Sequence, residues 1–406
     1  MSGLLYSISI SGPNQTRLVR DMTRTLSRYQ ANILDISEAV IHDWLSMALI
    51  IELKTESYPD ELFESLLHMA KRDSLHMQFS QISLEHYENW VQAQEGSRSI
   101  ITLLSRQVSA QHIHQVAELV AEHGLDIVSI QRLSALDSFT GTFHPSMACI
   151  EFVLHGHPLD MHMVRNAIIH LSHQDGIDLA WQEESPFRRQ RRLIAFDMDS
   201  TLIQTEIIDE LALEAGVGQE VADITSKTMH GELDFQTSLV ERVALLKGLD
   251  AEVLDKVARR MPLAEGADRL ISSLKRLGYT VAVISGGFTY FGSYLQQRLG
   301  LDYVFANELE IEAGVLTGRL KGDIVDGQKK AELLQRLADS KGLSMDQVVA
   351  VGDGANDLPM LNTAGLGIAF HAKPLVRQGA KQSISNVGLD GILYFLGLRD
   401  QEALRE

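Results

Sequence analysis

The sequence predicts an α/β protein: a Rossmann-like parallel-sheet core with an inserted helical cap, preceded by two small α+β, ferredoxin-like domains. Three observations carry this. Runs such as Leu193-Ile194-Ala195-Phe196 and Val348-Val349-Ala350-Val351 contain no polar side chain, as expected of strands buried on both faces. Each run is followed at once by a polar cluster, where ligands gather in parallel sheets. Ahead of this core, a strand–helix–strand–strand order occurs twice.

The first copy opens with an alternating strand from Leu4 to Ser11, turned by Gly12-Pro13-Asn14. Leu18, Val19, Met22 and Leu26 follow at helical spacing. Strands are expected at Ile33 to Ile36 and at Ser46 to Leu53. The second copy has strands at Ile100 to Leu104, Ile127 to Ile130 and Cys149 to Leu154, with a helix marked by Val116, Leu119 and Val120. Met22, Leu26, Asn32, Ile33 and Ile36 correspond to Val116, Val120, Asp126, Ile127 and Ile130. The expected domains are residues 1–92 and 98–181, a linker at 182–192 with solvated arginines, and a core at 193–406. Within the core, Thr280 to Ile284 and Leu366 to Phe370 are further buried strands. The stretch from about 206 to 261 is rich in helix formers and too long for a crossover, so it is read as the cap.

The chain has 406 residues, 45% hydrophobic and 22% charged, with a formal net charge of -18. That charge disfavours nucleic-acid and anionic-membrane partners, which need basic surfaces. An anionic substrate is still compatible, because a metal or a local cation reverses the field within one cleft. The single cysteine, Cys149, allows no internal disulfide, and its apolar surroundings predict a buried strand residue. No signal peptide or membrane span is expected, which makes the cytoplasm the expected compartment.

Three clusters stand at expected strand ends: Asp197-Met198-Asp199-Ser200-Thr201, Ser285-Gly286-Gly287-Phe288 and Gly352-Asp353-Gly354-Ala355-Asn356-Asp357. Carboxylates this dense after apolar strands call for a cation. Hard oxygen donors suit Mg2+, and no Cys/His spacing suits zinc. A carboxylate is a competent nucleophile toward phosphorus once its charge is offset, and Lys330 is the candidate cation. Ser285 and Gly286 suit the remaining phosphate oxygens, and a second carboxyl two residues on suits proton transfer. Taken singly, each cluster is equally a turn, a loop or a helix cap.

The first copy, "SGPNQTRLV…ANILDIS", resembles the ACT domain, a module that often binds amino acids. Arg17 stands where the ACT turn often has glycine, and "SRQVSAQHI" of the second copy lacks the glycine too. Amino-acid binding and dimerisation remain alternative roles for these modules. The segments "FDMDSTLIQTEIIDELA", "ISGGF", "QKKAELL" and "VGDGANDLPM" resemble the haloacid-dehalogenase superfamily, and within it the bacterial type of phosphoserine phosphatase. The resemblance spans about residues 190–400. It implies hydrolysis of O-phospho-L-serine through an aspartyl-phosphate, the last step of serine biosynthesis.

By the same resemblance Asp197 is the nucleophile and Asp199 the general acid/base. One Mg2+ is held by Asp197, the Asp199 main-chain carbonyl and Asp353, with Asp357 orienting water there. Ser285, Gly286 and Lys330 grip phosphate, and Asn356 lies near the substrate. Glu206 and Arg242 take the substrate's ammonium and carboxylate. Met229 and Phe235 either close the cap over substrate or simply pack its core. The resemblance also implies a homodimer and L-serine as a ligand of the ACT-like region. Two other readings stay open: phosphotransfer on another ester or to an alcohol, and an amino-acid-sensing regulator with an idle phosphatase domain.

Overall fold

The computed structural model describes residues 3–54, 59–94, 96–136, 147–174 and 176–403. The chain divides into two compact units, Met1–Gly96 and Ser97–Glu406.

In the first unit, β1 (Leu4–Pro13), β2 (Asn32–Ile41), β3 (Trp44–Leu53) and β4 (His76–Ile82) form an antiparallel sheet of order β2-β3-β1-β4. Helices α1 (Leu18–Arg28) and α2 (Pro59–Arg72) cover one face, and α3 (Leu84–Gln94) ends the unit. Along β3, Leu45, Met47, Leu49, Ile51 and Leu53 are buried while their neighbours are more exposed. That alternation is the mark of a sheet with one covered face.

The second unit repeats the topology. β5 (Arg98–Ser105), β6 (Asp126–Arg132), β7 (Ala148–His155) and β8 (Asp178–Glu183) are ordered β6-β7-β5-β8, with α4 (Ala110–Glu122) and α5 (Met161–Gln174). The pairing of β2 with β3 shifts register between Ile33 and Asp35, and that of β6 with β7 shifts between Ile127 and Ser129. These bulges fall at corresponding positions of the two copies.

The second sheet is buried on both faces. Ile101, Leu103, Phe152 and Leu154 pack under α4 and α5, whereas Leu104, Cys149 and Ala180 join the core that contains Ile194 and Phe196. Burial also pushes the Cys149 thiol well up, so it packs as an apolar group.

In the segment expected to be a solvated linker, Arg189 and Arg192 are exposed as expected, but the other two arginines are buried. Arg188 and Arg191 are 6% and 7% exposed. Arg188 forms an ion pair with buried Glu151 at 2.7 Å and donates to the Tyr394 carbonyl at 3.1 Å. Further ties join this domain to the catalytic sheet. The Asp178 carboxylate accepts the Ser385 and Asn386 N–H groups at 2.8 and 2.9 Å, and Arg106 pairs with both carboxylate oxygens of Glu265.

The catalytic sheet comprises β9 (Leu193–Phe196), β10 (Thr280–Phe288), β11 (Tyr303–Glu312), β12 (Val315–Lys321), β13 (Val348–Gly352), β14 (Leu366–Phe370) and β15 (Gln382–Ile384). Their order is β12-β11-β10-β9-β13-β14-β15, with β12 alone antiparallel. Between β9 and β10 the chain runs through α6 (Ile207–Ala215), α7 (Gly218–Met229), α8 (Phe235–Leu245), α9 (Glu252–Arg260) and α10 (Ala267–Arg276). The first four are the cap. Its two connections pair where they leave the core, Ile203 bridging to Leu263 and Ala264 N–H donating to Leu202 at 2.9 Å. The remaining crossovers are α11 (Thr289–Leu299), α12 (Gly327–Ser340), α13 (Leu358–Thr363) and α14 (Pro374–Gly379). Strand order reverses around β9, and Phe196 pairs level with Val283 and Val351. The level register brings the residues after these three strands to one edge, at the topological switch point.

Candidate active site

Asp197 follows β9, and its N–H extends the ladder by donating to Val351 at 2.8 Å. Its Oδ1 accepts the Met198 N–H at 2.7 Å, and Oδ2 lies 2.9 Å from Lys330 Nζ. Lys330, from the first turn of α12, is wholly buried and also donates to Asp357 Oδ1 at 2.7 Å. Burial favours the neutral amine, but the Asp197 and Asp357 charges outweigh it and hold the ammonium above its usual range. Asp357 in turn accepts the Gly354 N–H at 2.9 Å.

The turn after Asp197 is tight. Ser200 takes φ +55°, a left-handed conformation uncommon for a residue with a side chain. Its hydroxyl donates to Glu206 Oε1 at 2.7 Å, so the strained residue orients a cap carboxylate. Asp199 Oδ1 is buried and has no hydrogen-bond partner. Burial, then the Glu206 and Asp197 charges, push the Asp199 carboxyl well above the ordinary range. A carboxyl group whose hold on its proton is strengthened in this way is suited to act as a general acid.

Asp353 follows β13 and accepts a 2.8 Å hydrogen bond from the buried Thr201 hydroxyl. Burial and the Asp197 and Asp357 charges push it up to about 8. Asp357 rises to about 6, through burial and Asp197 and against the pull of Lys330. Asp197, Asp353 and Asp357 each offer an oxygen, all within 4.8 Å of one another. This all-oxygen donor set, in which the Asp197 charge raises the proton affinity of Asp353 and Asp357, fits a hard divalent cation. The trio includes Asp357, expected only to orient water, whereas the Asp199 carboxyl stands apart from it.

In the last part of β10, where its pairing with β11 shifts register, Ser285 is 1% exposed, and its hydroxyl accepts the Gly287 N–H at 3.0 Å, leaving its own proton to donate. Glycine is required beside it. A Cβ at Gly287 would fall 2.7 Å from Asp199 Oδ2, and one at Gly286 would fall 2.8 Å from the Phe235 ring. Phe235 opens α8, capped by Asp234 accepting the Thr237 N–H at 3.0 Å, so the cap touches the Ser285–Gly286 loop directly. Gln236 reinforces this by donating to Asp326 at 2.6 Å. Asn356 lies in the turn between Asp353 and Asp357. Met229 ends α7, and its side chain lies outside the described residues.

Glu206 and Arg242 approach from the cap without pairing directly. Arg242 donates weakly to the Ser238 carbonyl at 3.3 Å and to Thr225 Oγ1 at 3.5 Å. Burial lowers its proton affinity, opposed by the Glu206, Asp209 and Asp199 charges. Burial raises Glu206, opposed by the Ser200 hydroxyl bond and by Arg242. The site thus holds a carboxylate and a guanidinium of opposite charge, Glu206 within the field of Asp197 and Arg242 within that of Asp199.

Two supporting residues escape a reading of the sequence. Thr201 stands inside the first cluster, but its partner is distant in sequence. Asn307, 2% exposed on β11, donates to the Gly286 carbonyl at 2.7 Å and accepts the Val325 N–H at 2.8 Å. Its only sequence signal is one amide among strand residues.

Comparison with known proteins bears on this geometry. A model of haloacid dehalogenase-like hydrolases matches residues 194–362, and one of ACT domains matches residues 6–80. A phosphoserine phosphatase of Streptomyces coelicolor is 40% identical over 395 residues, 97% of this chain and 92% of that one. The chain belongs to the phosphoserine phosphatase family.

Solved structures agree. A probable phosphoserine phosphatase of Vibrio cholerae superposes with TM-score 0.59 at 34% identity, over 77% of this chain and 90% of that one. A haloacid-dehalogenase-family hydrolase of Salmonella enterica gives TM-score 0.63 at 32% identity, over 73% and 98%. Among the described residues, no helix is long and apolar enough to cross a membrane.

Proposed function

We infer that the chain hydrolyses O-phospho-L-serine to L-serine and phosphate, the last step of serine biosynthesis, using one Mg2+ per site. The observation that carries the reading is the Glu206/Arg242 pair in the field of Asp197 and Asp199, where Asp197 pairs with Lys330. A guanidinium fork suits an amino acid's carboxylate, and a carboxylate suits its ammonium.

In this reading an Asp197 oxygen bonds to phosphorus as the bond from phosphorus to the serine oxygen breaks. Asp199 gives its proton to that leaving oxygen. The resulting Asp199 carboxylate then takes a proton from water, which attacks phosphorus and releases phosphate from Asp197. Lys330 offsets the negative charge of nucleophile and phosphate, while the Ser285 hydroxyl and Gly286 hold phosphate oxygens, with Asn356 nearby. Asp197, Asp353 and the Asp199 main-chain carbonyl would hold the Mg2+, with Asp357 beside them; when bound it neutralises phosphate charge. Phe235 and Met229 close the cap and keep water out while the ester is cleaved.

We further propose that the chain is a cytoplasmic homodimer. Edge strand β2 leaves Ile33, Ile36, Val40 and Ile41 more than 40% exposed, a surface that a second copy would cover. Sedimentation would test this, and a monomer at micromolar concentration would end it. L-serine is the proposed ligand of the ACT domain; its test is a serine titration of binding and of phosphatase kinetics.

The test of the activity is phosphate release from phosphoserine and other phosphomonoesters, with and without Mg2+, by the wild type and Asp197→Asn. Magnesium-dependent release favouring phosphoserine, lost in the variant, is expected. A preference for another ester would overturn the substrate while keeping the chemistry.

A further inference from the structure

A cleft of about 570 Å³ opens between the second ferredoxin-like domain and the catalytic sheet, away from the carboxylate cluster. One wall is Met161, Ile168 and Trp181 of α5 and β8; the other includes Asp346, Leu366 and Lys381 of the catalytic domain. Arg191 lines it from the segment between the domains.

Arg191 is the unusual member. The residue is 7% exposed, yet among the described residues it forms no ion pair, and the Asp346 charge acts on it only from a distance. Nη1 makes only long contacts, 3.3 Å to the Arg188 carbonyl and 3.5 Å to Gln182 Oε1, and Nε has no partner. Leaving a buried charged donor unmet is costly. Burial and the neighbouring Arg188 charge pull its proton affinity down to about 10. Lys381 shares the same field. Burial lowers its proton affinity, opposed by the Asp346 charge and reinforced by Arg191, and it donates to the Ala364 carbonyl at 2.7 Å. Arg165, Arg191 and Lys381 outnumber Glu183 and Asp346 around the cleft, a local positive excess in a chain of net charge -18. Trp181 supplies a flat apolar wall, itself 8% exposed.

We propose that this interdomain cleft binds a small organic anion, its carboxylate or phosphate group held by Arg191 and Lys381 and its apolar body resting on Trp181. The binding mode is a fork of charge-assisted hydrogen bonds at one end and area burial at the other. A ligand there touches both domains at once.

Trp181 reports the test directly once Trp44 and Trp90 are replaced by phenylalanine. The probes are 3-phenylpropionate, phenylphosphonate and the neutral 3-phenylpropanamide, titrated into the full chain. Saturable fluorescence change by an anion, with Kd below about 1 mM, and none by the amide is expected. The tighter of the two anions assigns the class as carboxylate or phosphate. Lys381→Met should weaken that binding roughly tenfold or more, as should Arg191→Gln if it folds. Phosphoserine turnover by Lys381→Met serves as the folding control. No saturation by either anion, an equal response to the amide, or unchanged affinity in Lys381→Met would overturn the proposal.

Discussion

The Asn307 carboxamide donates to the Gly286 carbonyl at 2.7 Å, and its oxygen accepts the Val325 N–H at 2.8 Å. One buried side chain thus ties the carboxyl end of β10 to the segment leading into the Lys330 helix. Asn307→Ala leaves both backbone groups unmet and costs about 1–3 kcal/mol of stability. Because the end of β10 shifts, kcat on phosphoserine should fall about 10- to 100-fold, with KM changing less. Asn307→Asp keeps the acceptor but sets a buried carboxylate oxygen against the Gly286 carbonyl, so it should recover neither stability nor kcat. Urea unfolding and steady-state kinetics on both variants check this; wild-type kcat in Asn307→Ala would refute it.

Lys330 sits between Asp197 and Asp357 with no solvent exposure. Lys330→Met strands two buried carboxylates, a change worth about 3–5 kcal/mol in the metal-free protein. Turnover should drop by at least about 100-fold, since the charge opposing the phosphate is gone. Thermal unfolding in chelator and a phosphate-release assay separate the two effects.

Among the described residues Arg242 makes only two long hydrogen bonds, to the Ser238 carbonyl and Thr225 Oγ1, and no direct ion pair, which leaves donors for a ligand. Arg242→Ala should reduce kcat/KM for phosphoserine about 100-fold or more and spare an aryl phosphate, which has no carboxylate. An equal loss on both esters would show that Arg242 supports the cap and not the substrate.

Arg106 holds the Glu265 carboxyl below its ordinary range, chiefly through their hydrogen bond. A depressed carboxylate stabilises the fold above its unfolded value, near 4.5, and loses that contribution as pH falls through the lower folded value. Both partners are half exposed, so screening keeps the pair under about 1 kcal/mol. Arg106→Ala should therefore be slightly less stable at about pH 7, and the gap should close at about pH 3 and in high salt. Urea midpoints under these conditions measure it.

Much of this molecule is readable from the chain because its signals are local. Leu193–Phe196 and Val348–Val351 declare buried parallel strands, and Asp197, Asp199, Ser285 and Asp353 follow such strands directly. What escapes is set by tertiary contact. The arginines of 188–192 look solvated in sequence because Glu151 and the Tyr394 carbonyl, which receive Arg188, are far along the chain. Asn307 is silent for the same reason. Strands β11, β12 and β15 are missed because their alternating or short patterns lack the continuous apolar runs of β9 and β13. The second sheet reads as one-sided, yet β5 is buried along nearly its whole length by a domain that the local pattern cannot reveal.

The bulges at Ile33/Asp35 and Ile127/Ser129 interrupt equivalent strands at equivalent steps. A bulge is an extra residue with no partner, and nothing in an antiparallel ladder calls for one at that step twice. Its recurrence gives the edge strand of each module the same local break in pairing and the same added twist. The surroundings of the two sheets differ: the second is buried on both faces, whereas β2 is exposed along its whole length.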